Sequence, residues 1–397
     1  MFSKKFLSAG ICWLMFLLLS LNSMAQTDTT KKTTPLIELS LRKEIEHSID
    51  IALKWLSENQ KENGSWSDYP GITALVVTAF LQSPKEYDET KNESVAKGVK
   101  YILSCVHPTG GIYPEEEPQM RAYNTSICLM ALVATKNRQY DEAIKKARDY
   151  LISLQADEDE SIDSTNSIYG GIGYNRDERS DISNMQWALE SLKLSEDYRD
   201  WSEGGTKLEY SNRAKKEVKE VSNKELFWDK AILFLQRCQN LKKYNDQAWA
   251  GNDGGFIYYP GNSKAGGTTS YGSMTYAGMK SFIYAGVKKD DPRVQAAYNW
   301  IRKNYTVEKN PELDKQGLFY YYQTMAKALA VYGEDVLVDT AGTKRNWRED
   351  LAKKLISIQD GDGFWVNSVG RWWENNKDLA TAYCVLALEQ ILSEKTE

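Results

Sequence analysis

Histidine is almost missing: the 397 residues contain only His47 and His107. Zinc sites draw most of their ligands from His and Cys, so a multi-histidine metal centre is excluded, and no metal or other cofactor is expected. Cysteine is sparse too. Cys12 sits in an apolar run with no lipobox around it, which argues against a lipid anchor, and Cys105, Cys128, Cys238 and Cys384 form no CxxC pair. A basic excess is absent: 50 Lys+Arg against 55 Asp+Glu leaves a net charge of −5. That balance supplies no field for nucleic acid, so no nucleic-acid partner is expected. Beyond the first 25 residues no apolar run is long enough to cross a bilayer.

The N-terminus itself reads as a signal peptide. Lys4 and Lys5 form the positive region, Ile11 to Leu21 is almost wholly apolar, and Ser23-Met24-Ala25 offers small residues where a signal peptidase reads. Cleavage is expected before Gln26, followed by a polar, flexible lead-in over 26–40. The mature chain is then exported, to the periplasm or outside the cell, and keeps no stable membrane span.

Aromatic residues are abundant, with 12 Trp and 24 Tyr, and their distribution is periodic. One unit recurs six times: an amphipathic helix, a Gly-aromatic turn and a more apolar helix. The turns are Gly64-Ser65-Trp66, Gly110-Gly111-Ile112, Gly170-Gly171-Ile172, Gly254-Gly255-Phe256, Gly317-Leu318-Phe319 and Gly361-Asp362-Gly363-Phe364. An aromatic followed five residues later by Gln opens three units, at Trp55/Gln60, Tyr150/Gln155 and Phe234/Gln239; the sixth keeps Gln359. Gln near a helix end can satisfy orphan carbonyls and brace the next loop. In the second helix one position reads Thr73, Thr125, Met185, Thr275, Thr324 and Thr381, where a hydroxyl can cap or tie the turn. Cys105 and Cys238 share one repeat position, and Cys128 and Cys384 another. Equivalent positions occupy equivalent environments rather than facing each other, so buried thiols are expected.

Each hairpin can bury its apolar face only against neighbours. The expectation is an all-α fold, an α/α toroid (α6/α6 barrel) of six helical hairpins over 41–397. A charged insertion breaks the spacing at 195–230, and an acidic, Ser-rich loop runs from Asp157 to Ser167.

Gln60-Lys61-Glu62-Asn63-Gly64-Ser65-Trp66 resembles the QW motif of squalene and oxidosqualene cyclases, and Gly254-Gly255-Phe256 and Asp362-Gly363-Phe364 resemble the GGF turns of protein prenyltransferase β subunits. The resemblance, to the prenyltransferase/squalene-cyclase repeat family, covers nearly the whole mature chain. It implies a terpenoid-cyclase-like toroid but not its chemistry. The proton-donating DxDD motif of the cyclases is reduced to Asn375-Asn376-Lys377-Asp378, where only Asp378 keeps an acid. The zinc ligands of the prenyltransferases would fall near Ser270-Tyr271-Gly272 and Ala380, and none is there.

In such a toroid the turns and second-helix starts meet at one mouth of a central cavity. Tyr113, Tyr123, Tyr174, Tyr258, Tyr271, Tyr321, Gln323, Trp365, Trp372 and Trp373 are the candidate ligand-binding residues, and Asp378, Asp181 and Glu374 the candidate acids. π faces stabilise a carbocation and also stack on sugars. The first reading is therefore an isoprenoid or polycyclic apolar ligand, with cyclase- or isomerase-like chemistry. Two others stand beside it: a glycan-binding or glycan-cleaving toroid using paired carboxylates such as Asp181 and Glu374, and a non-catalytic protein-interaction repeat with a plugged centre.

Overall fold

Asn or Asp immediately ahead of the first helical residue starts five of the helices. Asn92 Oδ1 accepts the N–H of Val95, Asp291 caps a helix that begins at Pro292, and Asn346 and Asn376 do the same further on. The protein, seen in a computed structural model, is described over residues 37–116, 119–158, 161–175, 179–196 and 223–393. The expected signal segment, the lead-in up to 36 and residues 197–222 of the charged insertion lie outside the described residues.

Six helices form an outer layer: α1 (Leu39–Glu58), α3 (Glu93–Ser104), α5 (Asp141–Ile152), α7 (Asn223–Arg237), α9 (Pro292–Asn304) and α11 (Trp347–Ser357). Six form an inner layer: α2 (Pro70–Gln82), α4 (Arg121–Ala134), α6 (Ile182–Leu194), α8 (Gly272–Tyr284), α10 (Leu318–Tyr332) and α12 (Lys377–Leu392). The layers differ as their sequences do. In α3 only the stripe Val95, Gly98, Val99 and Ile102 is buried, whereas α2 is buried at every residue from Pro70 to Phe80. The inner helices pack in sequence, α2 on α4, α4 on α6, α6 on α8, α8 on α10 and α10 on α12, and α12 packs back on α2. That last contact closes the ring, so this is the α/α toroid. A short antiparallel ribbon, β1 (Val336–Val338) with β2 (Lys344–Asn346), joins α10 to α11 and was not anticipated from the repeat.

The repeat motifs are the fastenings between hairpins. Gln60 Nε2 donates to its own turn at the Gly64 carbonyl and to the Ser94 carbonyl of the next outer helix, each at 2.9 Å. Gln155 and Gln239 make the same two bonds, to Gly170 and Phe227 and to Gly254 and Arg293. Gln359 repeats it across the seam, donating to Gly363 and to Ser48 of α1. The brace thus reaches the following hairpin rather than the carbonyls of its own helix. The turn glycines sit where it forces them to. Gly170 has φ +82°, and a Cβ there would lie 1.9 Å from the Lys230 carbonyl oxygen; Gly363 has φ +101° and faces the Ile51 carbonyl. The outer-helix aromatic covers the preceding turn, as when Trp55 packs on Phe364 with ring centroids 5.2 Å apart. Thr73, Thr125, Thr275 and Thr381 accept the N–H of Trp66, Ile112, Phe256 and Trp365, tying each turn to its inner helix.

Residues 223–230 of the expected insertion are the first turns of α7, with Phe227 and Lys230 buried. Lys230 pairs with Asp157 at 2.8 Å and Glu158 at 2.6 Å, so those two acids anchor a loop to the ring. Cys128, Cys238 and Cys384 are buried and Cys105 is half-buried, all as free thiols.

Candidate active site

All six inner helices point their N-termini at the same end of the ring. A helix N-terminus leaves N–H groups unpaired, and here the next hairpin supplies the acceptor. Asn124 Oδ1 accepts from Gly71, the Tyr174 carbonyl from Ala122, the Tyr258 carbonyl from Ile182, and Asn310 Oδ1 and the Pro311 carbonyl from Ser273 and Gly272. For α10 the acceptor is Glu374, whose Oε1 takes the Tyr320 N–H at 2.8 Å. At the seam the Ser67 hydroxyl donates to Asp378 Oδ2 at 2.6 Å. Each of the first five hairpins is therefore capped by the one that follows it, whereas α12 is capped by its own Asn376 and only its Asp378 side chain is bonded across the seam.

These ends enclose a cavity of about 260 Å³. Its wall is chiefly aromatic: Tyr69, Tyr123, Tyr174, Tyr258, Tyr271, Tyr320, Tyr383, Trp372 and Trp373, with Leu75, Ile127 and Met274. Tyr69 meets Trp373 edge-on at 5.3 Å, and Tyr123 lies against Tyr174 at 6.3 Å. Met120, Trp372 and Trp373 line it with φ of 61°, 58° and 66°, a region that non-glycine residues seldom occupy. Such strain gathers at ligand sites, held there by the surrounding structure. Trp372 and Trp373 also stay 42% and 48% exposed, which places large apolar faces at the mouth.

The three candidate acids have different surroundings. Glu374 is at the wall, but both oxygens are engaged, Oε1 by Tyr320 and Oε2 by Asn367 at 2.7 Å. Burial pushes its carboxyl up against those bonds. Asp378 is half-buried, and its environment raises it through desolvation, with Ser67 opposing; it does not line the cavity. Asp181 is fully buried at the N-cap of α6, accepting the N–H and the side-chain amide of Asn184, each at 2.9 Å. Burial raises it to about 6, with Asn184 and the Tyr258 hydroxyl pulling the other way. The Tyr258 and Tyr174 hydroxyls are 3.0 Å apart, and both rings line the cavity. A chain of hydroxyls thus leads from a buried acid to the cavity wall.

Among the residues singled out in the sequence, Tyr123, Tyr174, Tyr258, Tyr271, Trp372, Trp373 and Glu374 come together at this wall. Tyr113 does not: it stacks on His107 at 3.8 Å, with Arg121 over its other side at 5.0 Å. Tyr321 is buried and donates to the Thr306 carbonyl, and Trp365 Nε1 donates to the Leu355 carbonyl, so both brace the shell. Gln323 faces a different cavity at the far end of the ring. Tyr383 was missed. The threonine register carries the signal that finds it: the positions two before it (Gly71, Tyr123, Ser183, Ser273, Leu379) and two after it (Leu75, Ile127, Tyr383) face the cavity. Among the described residues no cluster of His, Cys, Asp and Glu could hold a metal.

The family model of the prenyltransferase alpha-alpha toroid domain matches residues 36–161 and 72–308, together more than half of the chain. Type II terpene cyclase MstE from Scytonema, solved with geranylgeranyl dihydroxybenzoate, superposes with a TM-score of 0.55 at 14% identity over 89% of this chain and 98% of that one. The same cyclase with merosterolic acid A gives 0.54 over 89% and 99%. A protein from Actinoplanes gives 0.52 at 14% identity over 88% and 100%. At that identity the superpositions speak for the fold, while the motif-bearing repeat and the family match agree on ancestry: the chain belongs to the prenyltransferase α/α-toroid domain family.

Proposed function

We propose that the aromatic cavity takes an isoprenoid or polycyclic apolar ligand and that Asp181 is the acid that acts on it. The observation that carries this reading is the buried Asp181 carboxyl, raised to about 6, behind the hydroxyls of Tyr258 and Tyr174, whose rings line a largely aromatic wall. An acid raised to about 6 keeps its proton in mildly acidic solution, where a free aspartate has lost it, and still releases it readily. The proton passes through Tyr258 and Tyr174 to an alkene carbon, the π pair forms the new C–H bond, and the neighbouring carbon becomes cationic. A second double bond closes onto that cation and moves the charge to a new carbon, from which a neighbouring C–H gives up its proton to the Asp181 carboxylate through the same chain; without ring closure the same proton loss yields an isomer. The surrounding rings stabilise the cation through their π faces. The geranylgeranyl ligand of the Scytonema cyclase, on a toroid of the same fold, supports the substrate class.

A glycan-cleaving centre has less support, because neither oxygen of Glu374 is free to pair with Asp181 across a substrate. An interaction repeat with a plugged centre is disfavoured by the open cavity. Export, read from residues 1–25, belongs to the same proposal, and a mature N-terminus other than Gln26 would remove it.

The test is to incubate the purified protein with a lipid extract and with polyprenyl compounds, then analyse bound and converted species by mass spectrometry. Wild type should retain and convert an isoprenoid, and Asp181→Asn should retain it without conversion. Recovery of no isoprenoid, with binding to a glycan array, would overturn the reading.

A further inference from the structure

The loop between Trp365 and α12 reaches back over the aromatic cavity, and its two ends are fixed. Asn367 and Glu374 are buried. The Asn367 N–H donates to the Glu374 carbonyl at 2.9 Å. Its side-chain amide donates to Glu374 Oε2 and to the Lys315 carbonyl, each at 2.7 Å. Glu374 in turn takes the Tyr320 N–H of α10. The base of the loop is therefore pinned to the ring, while residues 368–373 between the two posts are exposed or half-buried.

The tip of that segment is held lightly. The Val369 N–H bonds back to Asn367 and the Trp373 N–H back to Gly370, so both ties are internal. Among the described residues the one polar tie from 368–373 to another hairpin is the Arg371 guanidinium, which donates to Gln316 Oε1. That bond is exposed, and water replaces an exposed bond at little cost. Two apolar contacts complete the closure. Trp373 meets Tyr69 of the first hairpin edge-on at 5.3 Å. Trp372 lies on Gly317 of the fifth, where a Cβ would come within 3.0 Å of its ring. The two tryptophans thus span the mouth from one flanking hairpin to the other, lining the cavity while staying nearly half exposed.

The backbone opposes this closure. Trp372 and Trp373 are consecutive left-handed residues, with φ of 58° and 66°, in a region that a Cβ disfavours. Strain of this kind persists only where the surroundings impose it. A rigid base, one exposed latch and a strained tip are the parts of a two-position element.

We propose that residues 368–373 are a gate on the aromatic cavity. Turning on the Asn367 and Glu374 posts, the segment breaks the Arg371–Gln316 bond and lifts Trp372 off Gly317 and Trp373 off Tyr69. An apolar ligand enters between the first and fifth hairpins, and both indoles then close over it. Such a step controls entry and release together. The gate rests on the cavity holding a ligand, as proposed above, and not on Asp181 or the chemistry assigned to it.

Stopped-flow binding of N-phenyl-1-naphthylamine, an uncharged probe that brightens on leaving water, tests the gate on the full chain. Arg371→Met and Gln316→Ala each remove the latch, and neither residue lines the cavity. Each variant should speed entry and release together, at least five-fold, with Kd within two-fold of wild type. Loosened closure raises both rates equally, whereas loss of a wall contact raises release alone. Unchanged rates in either variant, or faster release without faster entry, would overturn the gate and leave the cavity reading standing. A wild-type protein that binds no probe would overturn both.

Discussion

Asp181→Asn should make the protein more stable at neutral pH while removing its acid. The carboxyl of Asp181 is buried, and burial lifts it from 3.8 to about 6. A raised acid holds its proton more tightly in the folded chain than in the unfolded one. Its contribution to stability is therefore fully present below pH 3.8 and is lost as pH rises through about 6. At ~1.4 kcal/mol per pH unit the loss amounts to about 3 kcal/mol, complete by neutral pH. Asparagine keeps the N-cap acceptor for the Asn184 N–H and does not titrate. Urea unfolding followed by tryptophan fluorescence, from pH 4 to pH 8 on both proteins, gives the variant's stability minus that of wild type. That difference should climb by about 3 kcal/mol between pH 4 and pH 7 and then level. Taking the difference cancels titrations common to both proteins. A flat difference would refute the account of Asp181 as a buried, protonated group and with it the proton source proposed for the site.

The other expectations concern the fastenings and the same acid. Conversion of an isoprenoid should fall about ten-fold per pH unit above pH ~6, as Asp181 loses its proton, and a rate constant between pH 5 and 8 contradicts this. Gly170→Ala should cost more than ~3 kcal/mol, because its Cβ would meet the Lys230 carbonyl at 1.9 Å with φ at +82°; thermal unfolding reads it. Gln359→Leu strands the Ser48 and Gly363 carbonyls at the ring seam and should cost about 2 to 4 kcal/mol, a loss that the equivalent Gln60→Leu should match. Glu374→Gln should lower stability by about 1 kcal/mol through the α10 N-terminus and leave isoprenoid conversion within a few-fold, whereas a glycosidase would lose nearly all activity.

The repeat was legible because every unit solves the same packing problem. Gln60, Gln155, Gln239 and Gln359 stand at one position since each must reach its own turn and the next outer helix. The glycines recur because the next helix backbone passes too close for a Cβ. Site residues were only half legible. An aromatic near a turn reads alike in sequence whether it faces the cavity, as Tyr123 does, or stacks against the outer layer, as Tyr113 does. Glu374 looked like a free catalytic carboxyl because the bond that engages it, from the Tyr320 N–H, spans 54 positions. An ion cluster, Glu190 with Lys280 and Lys327, had no local motif at all, since three inner helices contribute one residue each.

The sequence by itself determined the helix count, the two layers and the fastening residues, all of which follow from periodicity and short-range turn chemistry repeated six times. Closure of the ring, the split of its axis into an aromatic cavity and a second one at the far end, and the proton affinities of Asp181 and Glu374 were decided only by tertiary structure. Those properties depend on which groups lie within a few ångströms across hairpins and on how completely water is excluded there.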